Sequence, residues 1–314
     1  MPDASKLPVV VVTGFLGSGK TTLISRLLEH PALGETAVIV NELGEVGIDH
    51  HLLRRVDERT VLLKNGCVCC SLRGDLAEEL RELLSRRERG EIPRFERVVV
   101  ETTGVADPGP VAYTLLAEPV VRHHYRLESV VATVDAVLGL RGPESVRQVA
   151  AADAVVVTKP DLAEPGPLVE ALGRLNPAAD VAAASFGAVE PARLFAGSER
   201  EPPLVAPSPA HVGEEIRAVS VVLDEPLDWT AFGIWLTMLL QARGQDVLRV
   251  KGLLDVGGDG PVLLNAVQHV VHPPVHLDAW PDGDRRSRLV FIGRGLDASA
   301  IETSLRAFDA ASRG

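Results

Sequence analysis

The chain begins with an unbroken apolar run, "LPVVVVT" (7–13), breaks at Gly14, and resumes at Lys20 with Leu23, Ile24, Leu27 and Leu28 at helical spacing. That pattern predicts strand, loop, helix. It recurs along the first two thirds of the chain. "TAVIVNE" (36–42), "TVLL" (60–63), "RVVVETTG" (97–104), "SVVATVD" (129–135) and "DAVVVTK" (153–159) read as strands, with a shorter one at "ADVAAAS" (179–185). "SLRGDLAEELRELLSRRE" (71–88) reads as a helix with Ser71 as its N-cap, and "PLVEALGRLNP" (167–177) as another. Apolar strands separated by helices predict an α/β fold: a mostly parallel, doubly wound sheet covered on both faces.

The pattern stops between Gly197 and Gly213, where "GSEREPPLVAPSPAHVG" carries four prolines and no periodicity. This stretch predicts a linker over 198–213, dividing a domain at 1–197 from one at 214–314. In the second part "IRAVSVVLD" (216–224) alternates like a half-buried strand and "LDWTAFGIWLTMLLQARG" (227–244) reads as a helix. Strands follow at "VLRVKGLLDV", "PVLLNAVQHV" and "SRLVFIG", and "ASAIETSLRAFDAA" closes a smaller α+β domain. No internal repeat or low-complexity tract is present.

Composition narrows the function classes. With 314 residues and 46% hydrophobic content, the chain can bury a sizeable core. A net charge of -11, from 43 acidic against 32 basic residues, gives no electrostatic footprint for nucleic acid. An anionic ligand therefore calls for local capture by backbone groups. No apolar run approaches a membrane span, and Leu7 to Thr13 is too short for a signal segment, so the expected location is the cytoplasm.

Gly14-Phe15-Leu16-Gly17-Ser18-Gly19-Lys20-Thr21 fits G-x-x-x-x-G-K-[ST] between an apolar strand and an amphipathic helix. Such a loop wraps a phosphate with inward N–H groups, reinforced by the helix N-terminus. Lys20 is then expected at the β and γ phosphates and the Thr21 hydroxyl at Mg²⁺. "TKPDL" (158–162) ends a later strand, and one carboxylate can accept both N1–H and N2–H₂ of guanine, so Asp161 would select GTP while the Lys159 stem lies on the base. Thr158 departs from the Asn commoner at that position. Glu101, followed by Thr102-Thr103-Gly104, stands where such an enzyme needs a carboxylate for Mg²⁺ and a mobile glycine near the γ-phosphate. Glu42 and Asp49, in "NELGEVGIDHHLL", are acidic groups in a glycine-punctuated loop that could form a switch; Glu42 is also the candidate for positioning the attacking water.

The three cysteines of the chain fall in four consecutive positions, "CVCC" at 67–70. They cannot form a disulfide framework, and thiolates at this spacing suit Zn²⁺ and other soft or borderline ions, with a fourth ligand supplied from elsewhere. Buried inert thiols and a peroxide-sensing thiol are the alternatives.

Taken in order, G-x-x-G-x-G-K-T-T at 14–22, "NELGEVGID" at 41–49, "CVCC" at 67–70, "ETTGVADP" at 101–108 and "TKPDL" at 158–162 resemble the CobW-like GTPases, metal-handling relatives of the urease and hydrogenase nickel-insertion GTPases. The resemblance extends over "LLRVKGLLDV" and "VLLNAVQHVVHPPVHLDAWPDGDRRSRLVFIGRGLD", which look like that family's C-terminal domain. It implies a P-loop NTPase fold and a GTP-hydrolysing metallochaperone. Gly14, Gly17, Ser18, Gly19, Lys20, Thr21, Thr22, Thr158, Lys159 and Asp161 would hold Mg²⁺-GTP. Cys67, Cys69 and Cys70 would hold Zn²⁺ or Co²⁺ for a client metalloprotein, loosened on hydrolysis to GDP. Thr21, Glu42, Asp49 and Glu101 are the expected oxygen ligands.

Many members carry a histidine-rich tract near the domain junction, whereas the linker here has His211 alone. His269, His272 and His276 in "QHVVHPPVH" are expected at a surface or partner contact rather than in a second metal site. Two rival readings stand beside the metallochaperone: a GTP-gated partner-binding protein with a merely structural cysteine site, and a P-loop kinase. A homodimer is compatible with all three.

Overall fold

In a computed structural model the described residues are 6–33, 35–40, 61–64, 72–195 and 216–312, with backbone only at 32, 61–64 and 72–75. The chain divides into two compact units.

The first unit is a seven-stranded, wholly parallel sheet. Its strands are β1 (Leu7–Gly14), β2 (Thr36–Val40), β3 (Val61–Lys64), β4 (Arg97–Glu101), β5 (Tyr125–Asp135), β6 (Ala154–Thr158) and β7 (Asp180–Ala184), in the order β3-β2-β4-β1-β5-β6-β7. Val10, Val12, Val38, Val99, Val131 and Val156 pack on one face against Leu23, Ile24 and Leu27 of helix α1 (Lys20–Leu28). The alternate residues Val9, Val11, Val98 and Val100 are just as buried, which is why these strands lack the period-two alternation of a half-exposed sheet. Helices α3 (Gly109–Ala117) and α5 (Gly142–Ala151) lie against β5, and α2 (Leu72–Glu88) against α3. α2 is tied to the start of β5 by the buried Tyr125 hydroxyl donating to the Leu80 carbonyl at 2.9 Å. Shorter helices α4 (Pro119–His124) and α7 (Pro191–Phe195) and the helix α6 (Gly166–Leu175) complete this part of the chain.

The predicted strands and the helices at α1, α2 and α6 fall on these elements, apart from the bounds of β4, which ends at Glu101 and not at Gly104, and of β5. That strand begins four residues earlier than its apolar pattern suggests, because its first turn of sequence, Tyr125 to Glu128, alternates buried and half-buried. α3, α4, α5 and α7 carry no helical periodicity that the sequence reading picked out. The Ser71 N-cap and the 198–213 linker lie outside the described residues.

The second unit is an antiparallel sheet, β11 (Val270–Val271), β10 (Val262–Val267), β9 (Val247–Leu254), β13 (Ser287–Arg294) and β8 (Ile216–Leu223) in that order, with β12 (Val275–His276) also paired to β10. Helices α8 (Trp229–Arg243) and α9 (Ala298–Ser312) cover one face. Phe232, Trp235, Leu236 and Leu240 of α8 and Ile301 and Leu305 of α9 meet Val219, Val221, Val250, Leu264, Leu289 and Phe291 of the sheet there. Asp228 caps α8 by accepting from Ala231 N at 2.7 Å, and Asp297 caps α9 through Ser299 N and Ala300 N.

The expected surface placement of the three histidines is overturned for His272. His269 and His272 do not share a strand: the chain reverses at Gln268 and His269 between β10 and β11. His272 is buried beside Asn265, its Nδ1 3.5 Å from Asn265 Nδ2, because the return strand folds it under β10. A surface role for His272 is excluded, while His269 and His276 are exposed. No helix among the described residues is long and apolar enough to cross a membrane.

Candidate functional site

The C-terminal ends of β1, β4, β5 and β6 meet around the loop from Gly14 to Gly19. Gly14, Gly17 and Gly19 adopt φ of 143, 71 and 90 degrees, conformations that turn the intervening N–H groups toward a common centre. Gly19 precedes α1 with no side-chain cap, so the amides of the first turn remain available to an anion. Lys20 is buried, and its ammonium donates to the carbonyls of Gly14 (3.0 Å) and Phe15 (3.3 Å), spanning the loop from below.

From β4 comes Glu101, only 2% exposed, whose Oε1 accepts the Thr21 hydroxyl at 2.9 Å. Two hard oxygen donors from elements eighty residues apart in sequence thus converge beside the loop, a donor set suited to Mg²⁺. The chain then turns through Thr102, whose hydroxyl donates to Thr13 Oγ1 at 3.0 Å, and reaches Gly104. A Cβ on Gly104 would meet Leu16 N at 2.6 Å, so only glycine lets this segment lie against the phosphate loop. Gln148, buried on α5, fixes the segment from behind: its Nε2 donates to the Gly104 carbonyl at 3.2 Å and the Ala106 carbonyl at 3.0 Å.

The other side of the loop is tied to β5 and β6. Ser18 Oγ lies 2.6 Å from Thr133 Oγ1, while Thr133 donates to the Thr13 carbonyl. Thr158 donates its hydroxyl to the Ser18 carbonyl at 2.8 Å. The departure from Asn at this position thus retains a short polar side chain that anchors the segment after β6 to the phosphate loop. Lys159, at φ 56, reaches back to the Gly17 carbonyl (3.0 Å) and to Asp135 Oδ2 (2.6 Å). Asp135 Oδ1 accepts from Val137 N and Leu138 N, at 2.8 and 3.1 Å. Burial alone would push this carboxyl up, but Lys159 and the two amides outweigh it and hold it below the usual carboxylate range. Asp161, three residues past the end of β6, is exposed.

Of the predicted site residues the structure brings together Gly14, Gly17, Ser18, Gly19, Lys20, Thr21, Glu101, Gly104, Thr158 and Lys159, with Thr22 in the first turn of α1. Glu42, Asp49, Cys67, Cys69 and Cys70 lie outside the described residues. Thr13, Thr133, Asp135 and Gln148 escaped the sequence reading. The strand-end aspartate of "ATVD" was the one available signal, since it sits where Glu101 sits on β4.

The model of the CobW/HypB/UreG nucleotide-binding domain matches residues 8–182, and that of the cobalamin synthesis protein CobW C-terminal domain matches residues 216–309. The chain belongs to the CobW/HypB/UreG family. It is 34% identical to the zinc chaperone YjiA of Escherichia coli strain K12, across 95% of this chain and 97% of YjiA. Against the zinc chaperone CobW of Pseudomonas aeruginosa it is 32% identical, across 98% of this chain and 92% of that protein. The crystal structure of Zn(II)-bound YjiA GTPase from Escherichia coli matches with a TM-score of 0.73 at 30% identity, covering 96% and 99% of the two chains. This member of the CobW/HypB/UreG family is a P-loop GTPase, which removes the kinase reading. Its fold and family agree with the resemblance drawn from the motifs.

Proposed function

We propose that this CobW-family GTPase is a zinc metallochaperone. In this reading Mg²⁺-GTP binding favours the state in which Cys67, Cys69 and Cys70 hold the metal, and hydrolysis releases the metal to a client metalloprotein. The observation that carries the nucleotide half is the Thr21–Glu101 hydrogen bond, which sets a hydroxyl and a carboxylate beside the lysine of an intact phosphate loop. The metal half is supported by the thiolate-rich motif and by relatives named zinc chaperones, which favour zinc over cobalt as cargo.

The residues divide the work in a definite way. The amides of 14–19 and the Lys20 ammonium, released from Gly14 and Phe15, take the phosphates, with Thr22 following at the helix start. Thr21 and Glu101 would hold Mg²⁺, which neutralises charge on the triphosphate. Asp161 accepts the two guanine donors, and Thr158 and Lys159 fix its loop against Ser18 and Gly17. Gly104, pressed against Leu16, feels the γ-phosphate through the same loop. β3 ends at Lys64, three strands from β1, a separation of about 14 Å at ordinary strand spacing. The cysteines begin three residues further along the chain.

The test is Zn²⁺ and Co²⁺ affinity by chromophoric competition, with Mg²⁺ present, in protein loaded with GDP and then with a non-hydrolysable GTP analogue. About tenfold or tighter binding in the GTP form, a coupling of ~1.4 kcal/mol, is the expected result. Equal affinities would make the cysteine cluster a static site and favour a GTP-gated binding protein.

A further inference from the structure

Among the described residues no large apolar side chain is more exposed than Phe186, at 76%. It is also in the left-handed region, at φ 50 and ψ 32, where a bulky aromatic residue is seldom found. Exposure and backbone strain together at one residue call for a reason outside the protein's own packing.

The position supplies one. Only three described non-glycine residues have positive φ: Lys159, Phe186 and Gln268. Gln268 occupies the tight reversal between β10 and β11, where such a φ is ordinary. Lys159 and Phe186 instead follow the ends of β6 and β7, which are hydrogen-bonded neighbours with Thr158 opposite Ala184. The turn carrying Phe186 is fixed on its far side, because a Cβ on Gly187 would meet Leu23 Cα at 2.9 Å and the Thr22 carbonyl at 3.2 Å. Ala188 N closes it by donating to the Ser185 carbonyl at 3.0 Å. Phe186 therefore emerges beside the first turn of the phosphate-binding helix and next to β6, the strand that Lys159 and Asp161 follow. In an open parallel sheet the crevice beyond these strand ends is where ligands bind.

We infer that the Phe186 ring stacks on the nucleotide's base, forming one wall of a slot whose other wall is the Lys159 stem. The inference rests on the nucleotide site proposed above and extends it. Asp161 reads the edge of the base, whereas Phe186 covers its face and so contributes affinity without choosing among purines. The strain then has a use, since the left-handed turn aims the ring outward instead of letting it fold onto the sheet.

The experiment compares wild type, Phe186→Ala and Phe186→Trp in binding GDP, a non-hydrolysable GTP analogue, ATP and pyrophosphate, by calorimetry and tryptophan emission. Phe186→Ala should weaken GDP and the GTP analogue alike by about tenfold, the scale of one lost aromatic–base stack, and leave pyrophosphate affinity unchanged. In the F186W protein GDP should change emission beyond the wild-type response, and pyrophosphate should not. GDP affinity within twofold of wild type in Phe186→Ala, or an F186W emission response equal for pyrophosphate and GDP, overturns the inference. If wild type binds pyrophosphate as tightly as GDP, both the stacking and the nucleotide reading fall. If ATP binds as tightly as GTP and loses as much in Phe186→Ala, stacking stands and only the role of Asp161 falls. Phe186→Gly, which relieves the turn, should melt no lower than wild type while still binding GDP more weakly.

Discussion

Asp135 and Lys159, from the ends of adjacent strands, form an ion pair of 2.6 Å, and the same ammonium donates to the Gly17 carbonyl at 3.0 Å. One lysine thus links the phosphate loop to the segment after β6, and Asp135 holds it in place. Replacing Asp135 with Asn keeps the shape and one acceptor oxygen, but removes the charge and turns the other oxygen, which serves either Lys159 or the two amides, into an NH2 donor. The expected result is a GDP and GTP affinity lower by about three- to tenfold, the scale of one charge-assisted hydrogen bond with a half-exposed partner, with equal loss for both nucleotides. Titration calorimetry decides it. A loss confined to GTP would place Asp135 with the γ-phosphate machinery instead.

The same pair has a pH signature. Asp135 titrates below its unfolded value, so the folded state favours its charged form. Its contribution to stability is therefore complete at neutral pH, begins to fade near the unfolded carboxylate value of ~3.9, and is lost as pH falls through the depressed folded value. Urea unfolding of wild type and Asp135→Asn should show a stability gap at pH 7 that narrows steadily below about pH 4. A gap that is constant with pH would mean the variant acts through packing, not charge.

These two residues also mark where sequence reading runs out. The phosphate loop is legible because its meaning is local: the glycines, Lys20 and Thr21 are contiguous, and an apolar strand and an amphipathic helix flank them. Glu101 is legible because a carboxylate closes an otherwise apolar strand. Asp135 closes a strand in the same way, but its partner lies 24 residues on, and nothing in "TKPDL" says where the Lys159 ammonium will go. Gln148 is further out of reach. Its helix opens on Gly142-Pro143, and the carbonyls it serves lie 42 and 44 residues earlier. α3, reading "GPVAYTLLA", is apolar almost all round, so no periodic face announces it. In the C-terminal unit the alternation of β8 and the helix α8 were plain, whereas the reversal at Gln268 that buries His272 was not, because "LLNAVQHVV" reads as one continuous strand.

The Thr21–Glu101 pair separates charge from geometry. In Glu101→Gln the amide oxygen still accepts the Thr21 hydroxyl, so fold and loop position should persist while the negative charge is lost. GTP turnover at saturating Mg²⁺ is expected to fall by about a hundredfold or more, the effect typical of losing a charged group that stabilises phosphoryl transfer. The Mg²⁺ concentration giving half-maximal turnover should rise. A melting temperature equal to wild type, measured without nucleotide, distinguishes this from simple misfolding. Turnover within threefold of wild type would remove Glu101 from the catalytic set.

Gln148 holds the backbone of the segment after β4 through two carbonyls, at Gly104 and Ala106, while Gly104 presses on Leu16 from the other side. Gln148→Leu has similar volume but leaves both buried carbonyls without this donor, at a cost of about 1–3 kcal/mol. Chemical denaturation should register that loss. The more informative readout is turnover, because a loosened segment no longer presents Gly104 at a fixed distance from the phosphate loop. GTP hydrolysis should fall while GDP affinity, which does not depend on the γ-phosphate side, stays near wild type. Gly104→Ala attacks the same contact from the front, since its Cβ cannot approach within 2.6 Å of Leu16 N and the segment must retreat. The two substitutions displace one segment by different routes, so their effects on hydrolysis should fall short of additive in the double variant. Full additivity would mean that Gln148 and Gly104 act on separate steps.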